Sequence, residues 1–384
     1  MVLFLVAQSC SNNRNQAQHN LPEPDKNFFQ DITAGSGIDF RHTIGDNELD
    51  NIIESVGGGA VFLDYDKDGF IDLYICNGKW IDGFSKGEKP SVKQGNRLYR
   101  NSGKGYFTDI TEKAGLDIPV YGMGACAGDF DNDGYPDLFL SNYGPNVLYR
   151  NNGNGTFTDV TKKAAVAGGN ECSVGAAWLD YDNDGLLDLY VGNYLYFDPG
   201  YKYYYAPDGF PGPMAYDSQK DILYHNAGNG VFEDVTEKMG ISDLDGRAMG
   251  VGAADIDDDG YIDIYVANDH TMNYLWHNEK GKYFTEAGIK SGTAFSQEGE
   301  AAVSMSVDFA DFNRDGLLDL FLSDDRYCSL YQNTGNCIIV VITETGAPAH
   351  QLSREIVSQA DGYIPEISIP GILENLVFHS IQVL

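Results

Sequence analysis

Asp64-Tyr-Asp66-Lys-Asp68-Gly69-Phe-Ile-Asp72 sets carboxylates at positions 1, 3, 5 and 9 of a nine-residue run, with glycine at position 6. The same register returns at 129–137, 180–188, 255–263 and 311–319, and Asn313 is the one departure from Asp at these positions. Each copy runs straight into an alternating segment: Asp72-Leu-Tyr-Ile, Asp137-Leu-Phe-Leu, Asp188-Leu-Tyr-Val, Asp263-Ile-Tyr-Val and Asp319-Leu-Phe-Leu. Small and apolar residues precede each copy, with Gly59, Gly124, Gly175 and Gly250 five positions before the first Asp. Strand, acidic turn, strand is therefore the basic hairpin.

A second hairpin follows in every copy. Leu98-Tyr-Arg-Asn101, Leu148-Tyr-Arg-Asn151, Leu223-Tyr-His-Asn226, Leu275-Trp-His-Asn278 and Leu330-Tyr-Gln-Asn333 hold one position in the repeat. Three of them enter N-x-G-x-G turns and then strands that open at Phe107, Phe157 and Phe232. Four short strands per repeat is the pattern of a β-propeller blade, so the expected fold is all-β, with five recognisable four-stranded blades. Residues 28–33 read like the last strand of a blade, and are expected to pair with the C-terminal blade and close the ring.

The acidic turn is read as a metal loop. Its oxygen ligands would be Asp64, Asp66, Asp68 and Asp72; Asp129, Asp131, Asp133 and Asp137; Asp180, Asp182, Asp184 and Asp188; Asp255, Asp257, Asp259 and Asp263; and Asp311, Asn313, Asp315 and Asp319. The backbone carbonyls of Phe70, Tyr135, Leu186, Tyr261 and Leu317, at position 7, add a further oxygen each. Six or more hard oxygens suit Ca²⁺ better than Mg²⁺, and about five Ca²⁺ sites are expected. An EF-hand would place a bidentate Glu at position 12, where this chain has Ile75, Leu140, Val191, Val266 and Leu322. No His or Cys lies within the nine-residue loops, which speaks against zinc and copper.

The chain has 384 residues and a formal charge of −32, from 57 acids against 25 Lys and Arg. That balance argues against a nucleic-acid partner, which needs clustered cations. Disorder is opposed by 42% hydrophobic and 12% aromatic residues. Nineteen of the acids sit at the ligand positions above, so much of the excess charge consists of metal sites awaiting a cation. Loops of this kind suit a calcium-rich compartment, and export is the expected localisation. The apolar start ending in Ser-Cys10, followed by a polar linker, resembles a lipoprotein signal; residues 1–27 are read as signal and linker, with Cys10 as the lipidation candidate, although no Lys or Arg precedes the apolar run. No apolar run reaches the roughly 20 residues of a transmembrane helix. Cys76, Cys126, Cys172, Cys328 and Cys337 form neither CxxC pairs nor a disulfide framework, and read as buried small hydrophobes.

Two insertions fall between the second and third strands of a blade, at 77–96 and 193–220, on the face opposite the acidic turns. They carry the candidate ligand face: Trp80, Tyr196, Tyr201, Tyr203, Tyr204, Tyr205 and Phe210. Exposed aromatic residues with polar tips suit a glycan or protein partner, whereas a self-packed loop would merely seal the face. No HExxH, GxSxG or P-loop occurs, and His225 and His277 occupy the repeat position held elsewhere by Arg100, Arg150 and Gln332. A binding module is thus favoured over an enzyme. The enzyme reading, acting on polysaccharide or in secondary metabolism, would need a pocket built from Asp269, His270, Arg247 or Arg326.

The run Glu54-Ser-Val-Gly-Gly-Gly-Ala-Val-Phe-Leu-Asp-Tyr-Asp-Lys-Asp-Gly resembles the first repeat of FG-GAP/VCBS-type proteins of the cartilage acidic protein family. So do Val307-Asp-Phe-Ala-Asp-Phe-Asn-Arg-Asp-Gly-Leu-Leu-Asp-Leu-Phe and Ala267-Asn-Asp269, and the resemblance covers about residues 28–336. It implies a calcium-binding propeller related to integrin α-subunit heads, with seven blades and a following ASPIC/UnbV domain. Here five repeats are recognisable, and 337–384 is similar to a shortened ASPIC/UnbV segment without its closing tryptophan-proline.

Overall fold

The computed structural model describes residues 31–344 apart from 92–93, 202–209, 243–244, 297–298, 326–327 and 336–338. Five four-stranded antiparallel sheets succeed one another as the blades of a β-propeller. Blade one is β1 (Ala60–Leu63), β2 (Asp72–Ile75), β3 (Arg97–Asn101) and β4 (Phe107–Asp109). Blade two is β5 (Gly122–Gly128), β6 (Asp137–Asn142), β7 (Val147–Asn151) and β8 (Phe157–Asp159). Blade three is β9 (Ser173–Leu179), β10 (Asp188–Asn193), β11 (Ile222–Asn226) and β12 (Phe232–Asp234). Blade four is β13 (Ala248–Ala254), β14 (Asp263–Asn268), β15 (Tyr274–Asn278) and β16 (Phe284–Glu286), and blade five is β17 (Ser304–Ala310), β18 (Asp319–Asp324), β19 (Ser329–Asn333) and β20 (Ile339–Glu344).

The outermost strand of blade five corrects one expectation. That place belongs to β20, paired with β19, and Asp31–Thr33 form no strand. The physical reason is local: only five residues, 334–338, separate β19 from β20, which is rich in β-branched residues, so a hairpin closes with little loop entropy. Residues 28–30, Cys10 and the segment 345–384 lie outside the described residues.

The core lies at the joints between blades, because each blade is apolar on both faces. Tyr65 meets Phe157 of the next blade with ring centroids 6.2 Å apart, Phe130 meets Phe232 at 5.8 Å, and Tyr181 meets Phe284 at 6.0 Å. Inner strands approach so closely that a Cβ on Gly250 would lie 2.8 Å from Ser306 Cα. One asparagine closes each joint. The side-chain amides of Asn151, Asn226, Asn278 and Asn333 donate to the carbonyls of Tyr65, Phe130, Tyr181 and Ile256 in the preceding blade, at 2.7–2.9 Å. Asn101 of blade one differs, bonding Ile71 O of its own blade at 2.9 Å. Correspondingly, Phe62 and Phe107 on blade one and Phe312 on blade five are only partly covered, whereas their counterparts Trp178, Phe157 and Phe130 are buried.

Cys76, Cys126, Cys172 and Cys328 are free and buried, and burial pushes all four thiols up. Cys337 lies outside the described residues.

Candidate metal centres and ligand face

Each acidic turn joins the first two strands of its blade, and its carboxylates first satisfy the backbone of the turn itself. Asp64 Oδ1 accepts from Asp68 N at 3.1 Å and Oδ2 from Gly69 N at 2.9 Å, and the other four loops repeat both bonds. The position-5 carboxylates of Asp68, Asp133, Asp184, Asp259 and Asp315 accept from the position-7 amides of Phe70, Tyr135, Leu186, Tyr261 and Leu317. The bend needs left-handed backbone twice. Gly69, Gly134, Gly185, Gly260 and Gly316 take φ of 85–93° at position 6. Lys67, Asn132, Asn183, Asp258 and Arg314 take φ of 55–62° at position 4, a conformation that bulky residues rarely hold.

Position 9 anchors the loop to the sheet. Asp72, Asp137, Asp188, Asp263 and Asp319 are buried, and each accepts from the position-2 amide at 3.1–3.2 Å. Each also accepts from the backbone amide of its blade's joint asparagine at 2.7–2.8 Å. One asparagine thus ties each acidic loop, and in blades two to five also ties that loop to the blade before it. Burial still dominates these carboxyls: Asp72 is pushed up to about 7, Asp137 to about 8 and Asp263 to about 6, and Asp188 and Asp319 are also raised. A buried carboxylate kept charged at neutral pH calls for a cation beside it.

The donor set fits a hard cation. Carboxylate oxygens of Asp64, Asp66 and Asp72 lie within 4.8 Å of one another, as do those of Asp129, Asp131 and Asp137 and those of Asp180, Asp182 and Asp184. Asp66 Oδ1, Asp131 Oδ1 and Asp182 Oδ1, the same position in three loops, are buried with no hydrogen-bond partner. Orphaned anionic oxygens surrounded by further carboxylates are what a divalent cation would complete.

Strand three contributes a residue that the nine-residue reading leaves out. In blade one the Arg100 guanidinium bridges Asp66 Oδ2 (2.7 Å, from Nε) and Asp68 Oδ2 (2.6 Å, from Nη2). Arg150 does the same in blade two, with Asp131 at 2.5 Å and Asp133 at 2.8 Å. In blades three and four the place is held by His225, with Nδ1 3.1 Å from Asp188 Oδ1, and His277, with Nδ1 3.0 Å from Asp263 Oδ1. Their ring nitrogens group with Asp182 and Asp188 and with Asp257 and Asp263, so the loops are not free of histidine in space, though they are in sequence. The signal lay in the repeat alignment of Arg100, Arg150, His225, His277 and Gln332.

The loops also touch one another. Asn132 Nδ2 donates to Gly185 O at 2.8 Å and Asn183 Nδ2 to Gly260 O at 2.9 Å, linking loops two, three and four.

On the opposite face the insertions pack against the first strands of blades two to four. Ile53, Met123, Val174 and Met249 form one buried cluster with Tyr194, Leu195 and Tyr216, and Phe84, Phe197 and Phe210 pack on it. Phe84 meets Phe197 at 5.7 Å and Phe197 meets Tyr216 at 5.7 Å between centroids. Of the candidate ligand face, Phe210 is half-buried in this cap, and Trp80 is half-buried with Nε1 donating to Asp82 Oδ1 at 2.8 Å. Tyr196 and Tyr201 are 60% and 44% exposed, and form the open part of this face. Tyr203, Tyr204 and Tyr205 lie outside the described residues.

Of the polar residues considered for catalysis, Arg247 and Asp269 are buried and His270 is exposed. Arg247 is buried, donating from Nε to Pro213 O at 3.2 Å and from Nη2 to Tyr216 O at 2.9 Å. Asp269 accepts from Tyr194 Oη at 2.5 Å, and burial raises its carboxyl. His270 Nε2 is 4.0 Å from Asp269 Oδ1, and Arg326 lies outside the described residues.

A family model described as FG-GAP-like repeat matches this chain four times, over residues 64–140, 129–191, 214–266 and 255–322, more than half of its length. The chain belongs to the FG-GAP-like repeat family. Among its relatives, cartilage acidic protein 1 of Mus musculus is 29% identical over 147 residues, which are 38% of this chain and 20% of that protein. Cartilage acidic protein 1 of Homo sapiens is 29% identical over 146 residues, 38% of this chain and 19% of that protein. The match thus spans about a fifth of these relatives' length. Among solved structures, a lectin of Agrocybe aegerita that recognises non-reducing terminal N-acetylglucosamine aligns with a TM-score of 0.40 at 16% identity, over 75% of this chain and 66% of that one. The V. cholerae biofilm matrix protein Bap1 aligns at 0.39 and 13%, over 76% and 39%.

Proposed function

We propose that this protein is an exported, calcium-stapled binding module of adhesion type, whose propeller presents an aromatic face to a glycan or protein partner. The observation that carries the metal half is the set of orphaned position-3 oxygens beside buried position-9 carboxylates. Asp, Asn and the position-7 carbonyls would hold Ca²⁺, and the ion would supply charge neutralisation and cross-linking of each loop. No reaction step is assigned to it. In this reading the cation stands where like charges otherwise repel, so it stabilises the blades.

The ligand half rests on Tyr196 and Tyr201, large exposed rings beside the aromatic cap, with the Tyr201 ring centroid 5.6 Å from that of Tyr216. Such rings offer contact area at small entropy cost and a hydroxyl for a polar partner. Binding is favoured over catalysis because Arg247 is engaged by two backbone carbonyls and Asp269 by Tyr194. Extracellular placement fits the family and the calcium reading, and no helix among the described residues is long and apolar enough to cross a membrane. A lipid on Cys10 would add attachment to a membrane surface.

The test is a glycan and protein array probed with calcium-loaded protein, with chelated protein, and with a Tyr196→Ser/Tyr201→Ser variant. The reading expects hits that fade in both of the latter. Hits retained by the double variant would move the ligand site off this face, and an array blank for the loaded protein would remove the binding role.

A further inference from the structure

The five loops share a register but not a means of neutralising their charge. In loops one and two, Arg100 and Arg150 each lay Nε on the position-3 carboxylate and Nη2 on the position-5 carboxylate, 2.5–2.8 Å away. Both carboxylates are ligands in the calcium reading. The guanidinium fork spans their Oδ2 atoms and neutralises part of the charge that a divalent ion would meet, through hydrogen bonds that an ion cannot make. Loops three and four have imidazole there, hydrogen-bonded to the position-9 carboxylate at 3.0–3.1 Å and 3.7–3.9 Å from the position-3 carboxylate. In loop five the strand-three residue is Gln332, and Asn313 Nδ2 donates to Asp315 Oδ2 at 2.9 Å without bringing charge.

We propose that Arg100 and Arg150 are built-in counter-ions that compete with the metal, so the propeller carries two grades of cation site. This rests on the calcium reading above. In loops one and two the arginine takes the Oδ2 atoms of the position-3 carboxylates and leaves Asp66 Oδ1 and Asp131 Oδ1 unpartnered, so Ca²⁺ enters there against a guanidinium charge already in place. Loops three and four hold a histidine there and loop five a glutamine, neither with the fixed charge of an arginine fork, and these loops fill first. Each arginine makes two partly exposed ion pairs, its side chain being 44% exposed in Arg100 and 41% in Arg150. Exposed pairs are worth up to about 1 kcal/mol each, so the competition weakens loops one and two by roughly tenfold or somewhat more. The two grades fit a module that keeps part of its fold when calcium falls, because blades one and two bring their own cation.

The experiment is calorimetric titration of CaCl₂ into chelator-treated full-length protein, for the natural sequence and for an Arg100→Gln/Arg150→Gln variant. Glutamine is the repeat's own residue at this place in blade five, and both side chains reach solvent, so the fold is expected to tolerate the change. Circular dichroism and melting of the calcium-saturated variant check that it does, and the single variants Arg100→Gln and Arg150→Gln serve if it does not. The natural protein should show two classes, with the weaker about tenfold below the stronger and two sites in size. The double variant should lose the weaker class to the stronger one, while melting lower without calcium. Calcium binding with identical profiles in both proteins overturns the arginine inference and leaves the calcium reading standing. Absence of binding in both overturns the calcium reading and this inference with it.

Discussion

Asn226 closes the joint between blades two and three, and its removal can be followed bond by bond. Its amide donates to Phe130 O at 2.9 Å and to Leu187 O at 3.0 Å, and its Oδ1 accepts from Gly228 N at 3.0 Å, with 1% of the residue exposed. Asn226→Ala strips three backbone groups of their partner where water enters with difficulty. At about 1 kcal/mol for each bond, the loss is about 3 kcal/mol. Asn101 is the internal control. It has the same place in its blade, but its side chain bonds Ile71 O and Gly103 N, both in exposed surroundings where water substitutes. Asn101→Ala should therefore cost about 1 kcal/mol or less. Urea unfolding at saturating calcium, followed by Trp178 and Trp276 fluorescence, measures both while holding metal linkage constant. Equal shifts for the two variants would refute the idea that the cross-joint bond, rather than the asparagine's own turn, does the stabilising.

Two further outcomes follow from burial and close approach. Glu54 is buried with Oε1 unpartnered, and burial pushes its carboxyl up from 4.5 to about 7. A raised carboxyl stabilises the fold least where it must ionise. Its penalty is absent below about 4.5, grows as pH rises to about 7, and reaches up to about 3 kcal/mol. At saturating calcium, Glu54→Gln should thus match the natural protein in denaturant midpoint at pH 4.5 and exceed it at pH 8; equal midpoints at pH 8 would sink the assignment. Gly250→Ala would set a Cβ 2.8 Å from Ser306 Cα, backbone that cannot turn aside. Overpacking of this kind costs about 1–3 kcal/mol, read as a lower urea midpoint, and an unchanged midpoint would show that β13 and β17 can part freely.

The propeller was legible because one nine-residue register recurs with its strands attached, and the position-9 aspartate proves to be the residue that fixes loop to sheet. The pairing of the first three strands within each blade was legible for the same reason. Other features depend on distance along the chain. Arg100 reaches Asp66 and Asp68 across more than thirty residues, and nothing in Leu-Tyr-Arg-Asn says that its side chain leans over the acidic turn. The histidines of blades three and four were hidden likewise. The fourth strand of blade five was assigned to the wrong end of the chain, because the N-terminal run carries the repeat's motif whereas β20 wins by adjacency. For the insertions, aromatic content alone could not separate Phe197 and Tyr216, which build the cap, from Tyr196 and Tyr201, which stand exposed beside it.

The central claim is that the acidic loops are sites which a cation completes. Thermal unfolding of chelator-treated protein, repeated across a calcium titration, tests it most directly. Each site that binds only the folded state adds about 2.7 kcal/mol at a hundredfold excess over its Kd, so several sites together should raise Tm by about 10 °C or more. The rise should saturate between roughly 10⁻⁴ and 10⁻² M calcium if the sites resemble extracellular modules. A Tm that does not move across that range, with magnesium and calcium indistinguishable from chelator, would contradict the account.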